Sequence, residues 1–183
     1  MQPDTELLTL EAFADTIVPG EKRGPDDVAV AGVSTGGGAV AAGAVELLRT
    51  PATGLAAVLD YLVLALNGHA EEYAAEHGVD LDPAVPPFVA LPFAHRTALT
   101  AALLGPTHPE KEMWVGLALF SNMAFDSAAH LHTAEALAAG HPGLTQMGFT
   151  LPDADGLWRF PAYSYGRRLA ALHPHTTVSG SPA

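Results

Sequence analysis

Alanine constrains this chain more than any other residue: 34 of its 183 positions carry it, interrupted by 18 glycines and 15 prolines. Alanine loses least on entering a helix, while glycine and proline punctuate helices. Runs of β-branched or aromatic residues, which would favour strands, are scarce. The chain is therefore expected to fold as an all-α, single-domain bundle over residues 1–175, ending in a flexible tail at 176–183. One short run, Val28-Ala29-Val30-Ala31, reads as strand-like.

Apolar periodicity places about five helices. Leu7, Leu10, Phe13, Ala14, Ile17 and Val18 recur at spacings of three and four from Thr5 to Val18, and Pro19-Gly20 stops that helix. A second is expected over Ala39–Leu48. A third, over Thr53–His77, has Leu55, Val58, Leu59, Leu62, Val63 and Leu66 on its buried stripe and Gly78 as its stop. The proline-rich stretch Asp80–Pro92 reads as an extended surface linker, followed by a fourth helix over Phe93–Leu104. The fifth and longest is expected over Pro109–Ala139, with acidic residues in its first turn and Gly140 beyond its end. The remainder has no clear period and reads as an irregular aromatic wrap over the bundle.

Charge and cysteine content narrow the function. Eight Lys plus Arg against twenty Asp plus Glu give a formal charge of −12, which repels nucleic acid and anionic membrane surfaces. The absence of cysteine excludes disulfides, thiol nucleophiles and Cys-ligated metal. No apolar run is long enough to span a membrane, and no basic leader precedes Asp4, so a soluble cytoplasmic protein is expected.

Two glycine-rich motifs overlap near residue 35. Gly32-Val33-Ser34-Thr35-Gly36 matches the G-x-S-x-G turn that exposes a hydrolase serine between strand and helix. That turn needs a parallel sheet around it, whereas the pattern that follows is helical. Gly36-Gly37-Gly38-Ala39-Val40-Ala41 matches G-x-G-x-x-A, but Asp60, the acid at the right distance, lies in a helical pattern rather than at a strand end.

On the expected fifth helix, Asn122, Asp126 and His130 are spaced by four and would stack as one polar ridge. A carboxylate one turn before an imidazole orients it, as in general bases. The same spacing also suits a hydrogen-bonded pair that fixes helix packing. Asp126 and His130 are thus the catalytic candidates of a stand-alone enzyme whose interhelical pocket uses His69, Asn122, Tyr163 and Tyr165 to bind substrate. On the third helix His69 and Glu72 lie three apart, with Asn67 before them. The inventory of a di-metal carboxylate bundle is incomplete, so no metal is expected. His108, His141, His173 and His175 neighbour prolines and read as exposed. Trp114, Phe120 and Phe125 are spaced for core packing or for a partner surface, with the core favoured for Phe120. Trp158, Phe160, Arg167 and Arg168 concentrate anchor-type side chains in an irregular segment and make it a candidate partner interface.

The first helix, Leu10-Glu11-Ala12-Phe13-Ala14-Asp15-Thr16-Ile17-Val18-Pro19-Gly20, with Gly38-Ala39 and Ala42-Gly43-Ala44-Val45 after it, resembles the signature of the gluconate 2-dehydrogenase subunit 3 family. The resemblance covers roughly the first fifty residues. It implies a small, all-helical, non-catalytic subunit attached to a flavoprotein dehydrogenase of the glucose–methanol–choline type. In such a pair the large subunit holds FAD and this chain binds no cofactor. Family members commonly begin with a twin-arginine export signal, which this chain does not show, so a cytoplasmic partner is expected, with secondary metabolism as its context. The matching Asp15-Thr16 pair is expected to close the end of the first helix. The Ser34 hydrolase and the Asp126–His130 enzyme stand beside this reading as alternatives.

Overall fold

A computed structural model describes residues 3–151 and residue 175. Its unit Met1–Phe149 is helical, and among the described residues no strand forms. The eight helices are α1 (Pro3–Ile17), α2 (Ala44–Leu48), α3 (Leu59–His77), α4 (Pro87–Ala90), α5 (Phe93–Leu103), α6 (Lys111–Ser127), α7 (Thr133–Ala138) and α8 (Pro142–Gln146). None is long and apolar enough to cross a membrane. The all-α architecture expected from composition is what forms, with more and shorter helices than the five anticipated.

Helix α1 lies at the centre. Every side chain from Thr9 to Asp15 is buried, and α2, α3, α4, α5 and α6 all pack against it. A helix surrounded on all sides has no room for a polar stripe, so its buried polar groups must be paired internally. The Asn67 amide of α3 donates to Thr9 Oγ1 at 3.1 Å, and its carbonyl accepts the Phe88 amide at 3.0 Å. The expected start at Thr5 and stop at Val18 are close to the observed ends.

The segment from residue 18 to 43, expected to include a strand, is instead an irregular loop stitched by side chains. At the end of α1 the Asp15 carboxylate, 1% exposed, accepts the amides of Gly20 at 3.0 Å and Ala31 at 2.8 Å. Gly20 and Gly38 lie backbone to backbone, where a Cβ on either would collide with the other's main chain. Buried Arg96 of α5 spans the other side: it donates to the carbonyls of Leu91 at 2.9 Å, Ala29 at 2.6 Å and also Val89. Arg23 closes the loop outside, forking onto Glu11 at 2.5 and 2.7 Å and onto Asp27 at 2.8 and 3.0 Å.

Three expectations need correction. The stretch Asp80–Pro92 is not all surface linker, because α4 forms within it and sets Phe88 in the core, 6.2 Å from the Phe13 ring. The helices expected at Ala39 and Thr53 begin late, at Ala44 and Leu59, after turns that lead into them. The single helix over Pro109–Ala139 breaks after Ser127, where buried Ala128 takes a left-handed φ of 48°. A methyl-bearing residue there costs about 1 kcal/mol or more, offset by burial of Ala128 beside Ala136 and Leu144. The break lets α8 fold back on α6, with Gly143 so close to the Phe125 carbonyl that no Cβ fits between them.

Candidate functional site

A groove of about 450 Å3 lies between α3 and α5. It opens because α5 presents Ala98 and Ala102, whose short side chains leave space that Leu99 and Leu103 do not fill. The α3 wall carries His69, Glu72, Tyr73, Glu76 and His77, and His108 closes one end. Tyr73 is held firmly there. Its ring stacks on His77 at 4.0 Å, and its hydroxyl meets His95 Nδ1 at 3.1 Å.

At the His108 end three ionisable side chains converge. His69 Nε2 lies 2.9 Å from Glu110 Oε2, and the His108 ring meets the His69 ring edge-on at 5.6 Å. One donor atom each from His69, His108 and Glu110 lies within 4.8 Å of the other two, and all three residues are half-buried. The supporting shell is ordered. Tyr61 donates its hydroxyl to Glu110 Oε1 at 3.2 Å, and Trp114 packs edge-on against His69 at 5.7 Å. Trp114 is fully buried. The contact from His69 holds the Glu110 carboxyl below the usual carboxylate range, partly opposed by burial and reinforced by Tyr61. Glu110 is thus an ionised acceptor beside two imidazoles.

The sequence-predicted residues fare differently. His69 lies in this groove, but its acid is Glu110, not Glu72. The polar ridge does not form as one line: Asn122 donates to Asp126 at 2.7 Å on α6, while His130 sits beyond the Ala128 break. The His130 ring packs against Gly43 at the start of α2, where a Cβ would collide with it, and its Nδ1 is buried without a partner. Burial pushes its pKa below the ordinary imidazole value, and the carboxylate that partly restores it is Glu46 rather than Asp126. The Asp126–His130 pair therefore lacks the geometry of a base and its orienting acid.

Ser34 also loses its context. The loop around it has no sheet beneath it, and its hydroxyl reaches only the neighbouring Thr35 carbonyl at 3.5 Å. Among the loop histidines, His175 is exposed as expected. His141 instead is buried and caps α8 by accepting the Leu144 amide at 3.3 Å, while its other nitrogen meets the Ala42 carbonyl at 3.2 Å. His108 is half-buried in the cluster. Tyr163, Tyr165, His173 and the segment with Trp158, Phe160, Arg167 and Arg168 lie outside the described residues, as do the expected wrap and tail.

Sequence reasoning missed His108 and Glu110 as partners of His69. A separation of 41 residues joins His69 to Glu110, and no local spacing rule spans such a distance.

The Asp15 turn is not a ligand site. The space lined by Asp15, Gly20, Arg23 and Gly38 is about 10 Å3, room for a single water at most. Its chemistry is spent on the loop amides.

A second surface feature lies outside the groove. Tyr61 and Leu64 on α3 are 51% and 70% exposed, and Val115 and Leu119 on α6 are 40% and 52% exposed. Each pair is at helical-neighbour spacing, three or four residues apart. Leu55, in the turn ahead of α3, lies against Gly116 of α6.

The chain belongs to a family of unknown function, DUF5987, whose model matches residues 4–183. No curated protein and no solved structure matches it.

Proposed function

We propose that this member of DUF5987 is a non-catalytic accessory subunit that docks in the cytoplasm on the large subunit of a flavin-dependent oxidoreductase of the glucose–methanol–choline type, in secondary metabolism. The observation that carries the reading is the exposure of Tyr61 and Leu64 on α3 and of Val115 and Leu119 on α6. Exposed apolar side chains at adjacent turns of a helix, Tyr61 with Leu64 and Val115 with Leu119, are costly to keep in water and favour a protein contact. The resemblance of the first helix to small dehydrogenase subunits supplies the identity of the partner. FAD then belongs to the large subunit, which performs the hydride chemistry, and this chain binds none.

Several features agree with a docking role. The helix bearing the resemblance is wholly internal between Thr9 and Asp15, so its motif builds the scaffold and the contact is made by other helices. A formal charge of −12 favours a partner face with basic residues around an apolar centre. The segment with Trp158, Phe160, Arg167 and Arg168 extends the proposed contact on composition alone.

Substituting Leu64→Glu and Leu119→Glu tests this reading. Both side chains are exposed, so the helical circular dichroism spectrum is expected to stay unchanged while partner capture falls at least tenfold. Capture unaffected by both substitutions would move the contact elsewhere.

A further inference from the structure

The groove between α3 and α5 ends in a donor set that the docking role does not use. We propose that His69, His108 and Glu110 form a binding site for a divalent transition metal, zinc above all, with one coordination position open to the groove.

Donor chemistry argues first. Two imidazoles and one carboxylate suit borderline cations such as zinc, and three protein ligands with a fourth position open is the arrangement of reactive rather than structural zinc sites. With bonds of about 2.0–2.2 Å, tetrahedral donors stand about 3.3–3.5 Å apart. The 2.9 Å between His69 Nε2 and Glu110 Oε2 is near that edge length, and no pair in the cluster exceeds 4.8 Å. A modest rotation of half-buried His108 closes the remainder.

The surroundings of the acid argue second. Tyr61 holds Oε1 of Glu110 by a hydrogen bond of 3.2 Å, which leaves Oε2 directed at His69. Carboxylate ligands are commonly fixed this way by an outer hydrogen bond. The indole N–H of Trp114, buried beside His69, also favours the ionised Glu110 carboxyl. Its ring also packs edge-on against His69.

Proton balance is simple. In the metal-free chain a proton on His69 Nε2 bridges to Glu110. A bound cation takes the Nε2 lone pair, and the proton moves from Nε2 to Nδ1, so the ring stays neutral with one N–H. His108 accepts the Glu110 amide at Nδ1 over 3.2 Å, at the long end of the range for such a bond. That lone pair transfers to the cation, leaving the amide to solvent at the start of α6. The position that faces the groove takes water or a small oxygen-donor ligand lying along Glu72 and Tyr73.

Calorimetric titration of the full chain with Zn2+, after chelation and dialysis, tests the site. One equivalent per chain is expected, with the thermal midpoint raised by the bound ion. His69→Ala and Glu110→Gln are expected to weaken binding at least a hundredfold. Tyr61→Phe, which removes only the hydroxyl of a half-exposed ring, is expected to weaken it about tenfold without changing the circular dichroism spectrum. His132→Ala, at an exposed histidine outside the cluster, leaves it unchanged. Absence of stoichiometric binding overturns the proposal, as does binding that survives Glu110→Gln and Tyr61→Phe intact.

Discussion

Asp15 and Ala31 lie sixteen residues apart and are joined by a 2.8 Å hydrogen bond from the Ala31 amide to a carboxylate that is 1% exposed. A second amide, from Gly20, reaches the other oxygen. One buried acid thus ends the central helix and anchors the loop that carries the G-x-S-x-G sequence. Burial raises its pKa, and the two amides together with the charge of Arg96 pull it back down. The motif that resembles a small dehydrogenase subunit is, in physical terms, a device for turning the chain.

Replacing this acid should be costly. Asp15→Ala leaves the buried Gly20 amide and the part-buried Ala31 amide without acceptors and Arg96 without its counter-charge, a loss of about 3–5 kcal/mol. Arg96→Lys keeps a charge but cannot reach the carbonyls of Ala29, Val89 and Leu91 together, and about 2–3 kcal/mol is expected. Urea unfolding of both single variants and the double variant checks this. The double variant should lose less than the sum of the two.

Acid stability has a specific contributor at Asp27. Its pKa is lowered from 3.8 to about 2, chiefly by the hydrogen bond from Arg23. A depressed carboxyl stabilises the fold above its ordinary value, and that contribution disappears as pH falls from 3.8 towards about 2. Because Arg23 is nearly half exposed, the amount at neutral pH is about 1–2 kcal/mol after solvent screening. Asp27→Asn should remove it and flatten the slope over that window. Asp15 acts in the opposite sense, since its raised pKa favours protonation in the folded state. Only the comparison with Asp27→Asn isolates the Arg23 contact.

His130 gives a window at milder pH. Burial lowers its pKa from the ordinary 6.5, so the unfolded chain takes up a proton that the folded chain resists. Stability is therefore expected to fall as pH drops below 6.5, through the window down to the lowered value. His130→Gln should weaken that dependence in urea midpoints measured at pH steps across the window. If the dependence stays the same, another histidine carries it.

How much of this was legible depended on whether a signal was local. Pro19-Gly20, Gly78 and Gly105 mark helix ends in the sequence, and α1, α3 and α5 end near them. The break in α6 has no such mark, because Ala128 is a helix former driven into a left-handed turn by the packing of α8. That one turn removed His130 from the ridge with Asn122 and Asp126. Helix α4 escaped notice because its prolines at 86 and 87 sit where they open a helix instead of stopping one. His69 was visible as a site residue, while its partners were not. His108 and Glu110 flank a proline in a short loop, and only the packing of α3 against the start of α6 brings them to it.

Purifying the tagged full chain from its native host, then scanning the eluate for flavin absorbance and identifying its proteins by mass spectrometry, tests the docking account most directly. The account predicts a stoichiometric flavoprotein in the eluate, lost when Leu64→Glu and Leu119→Glu are introduced together. A colourless, single protein recovered at full yield from the same host would contradict it.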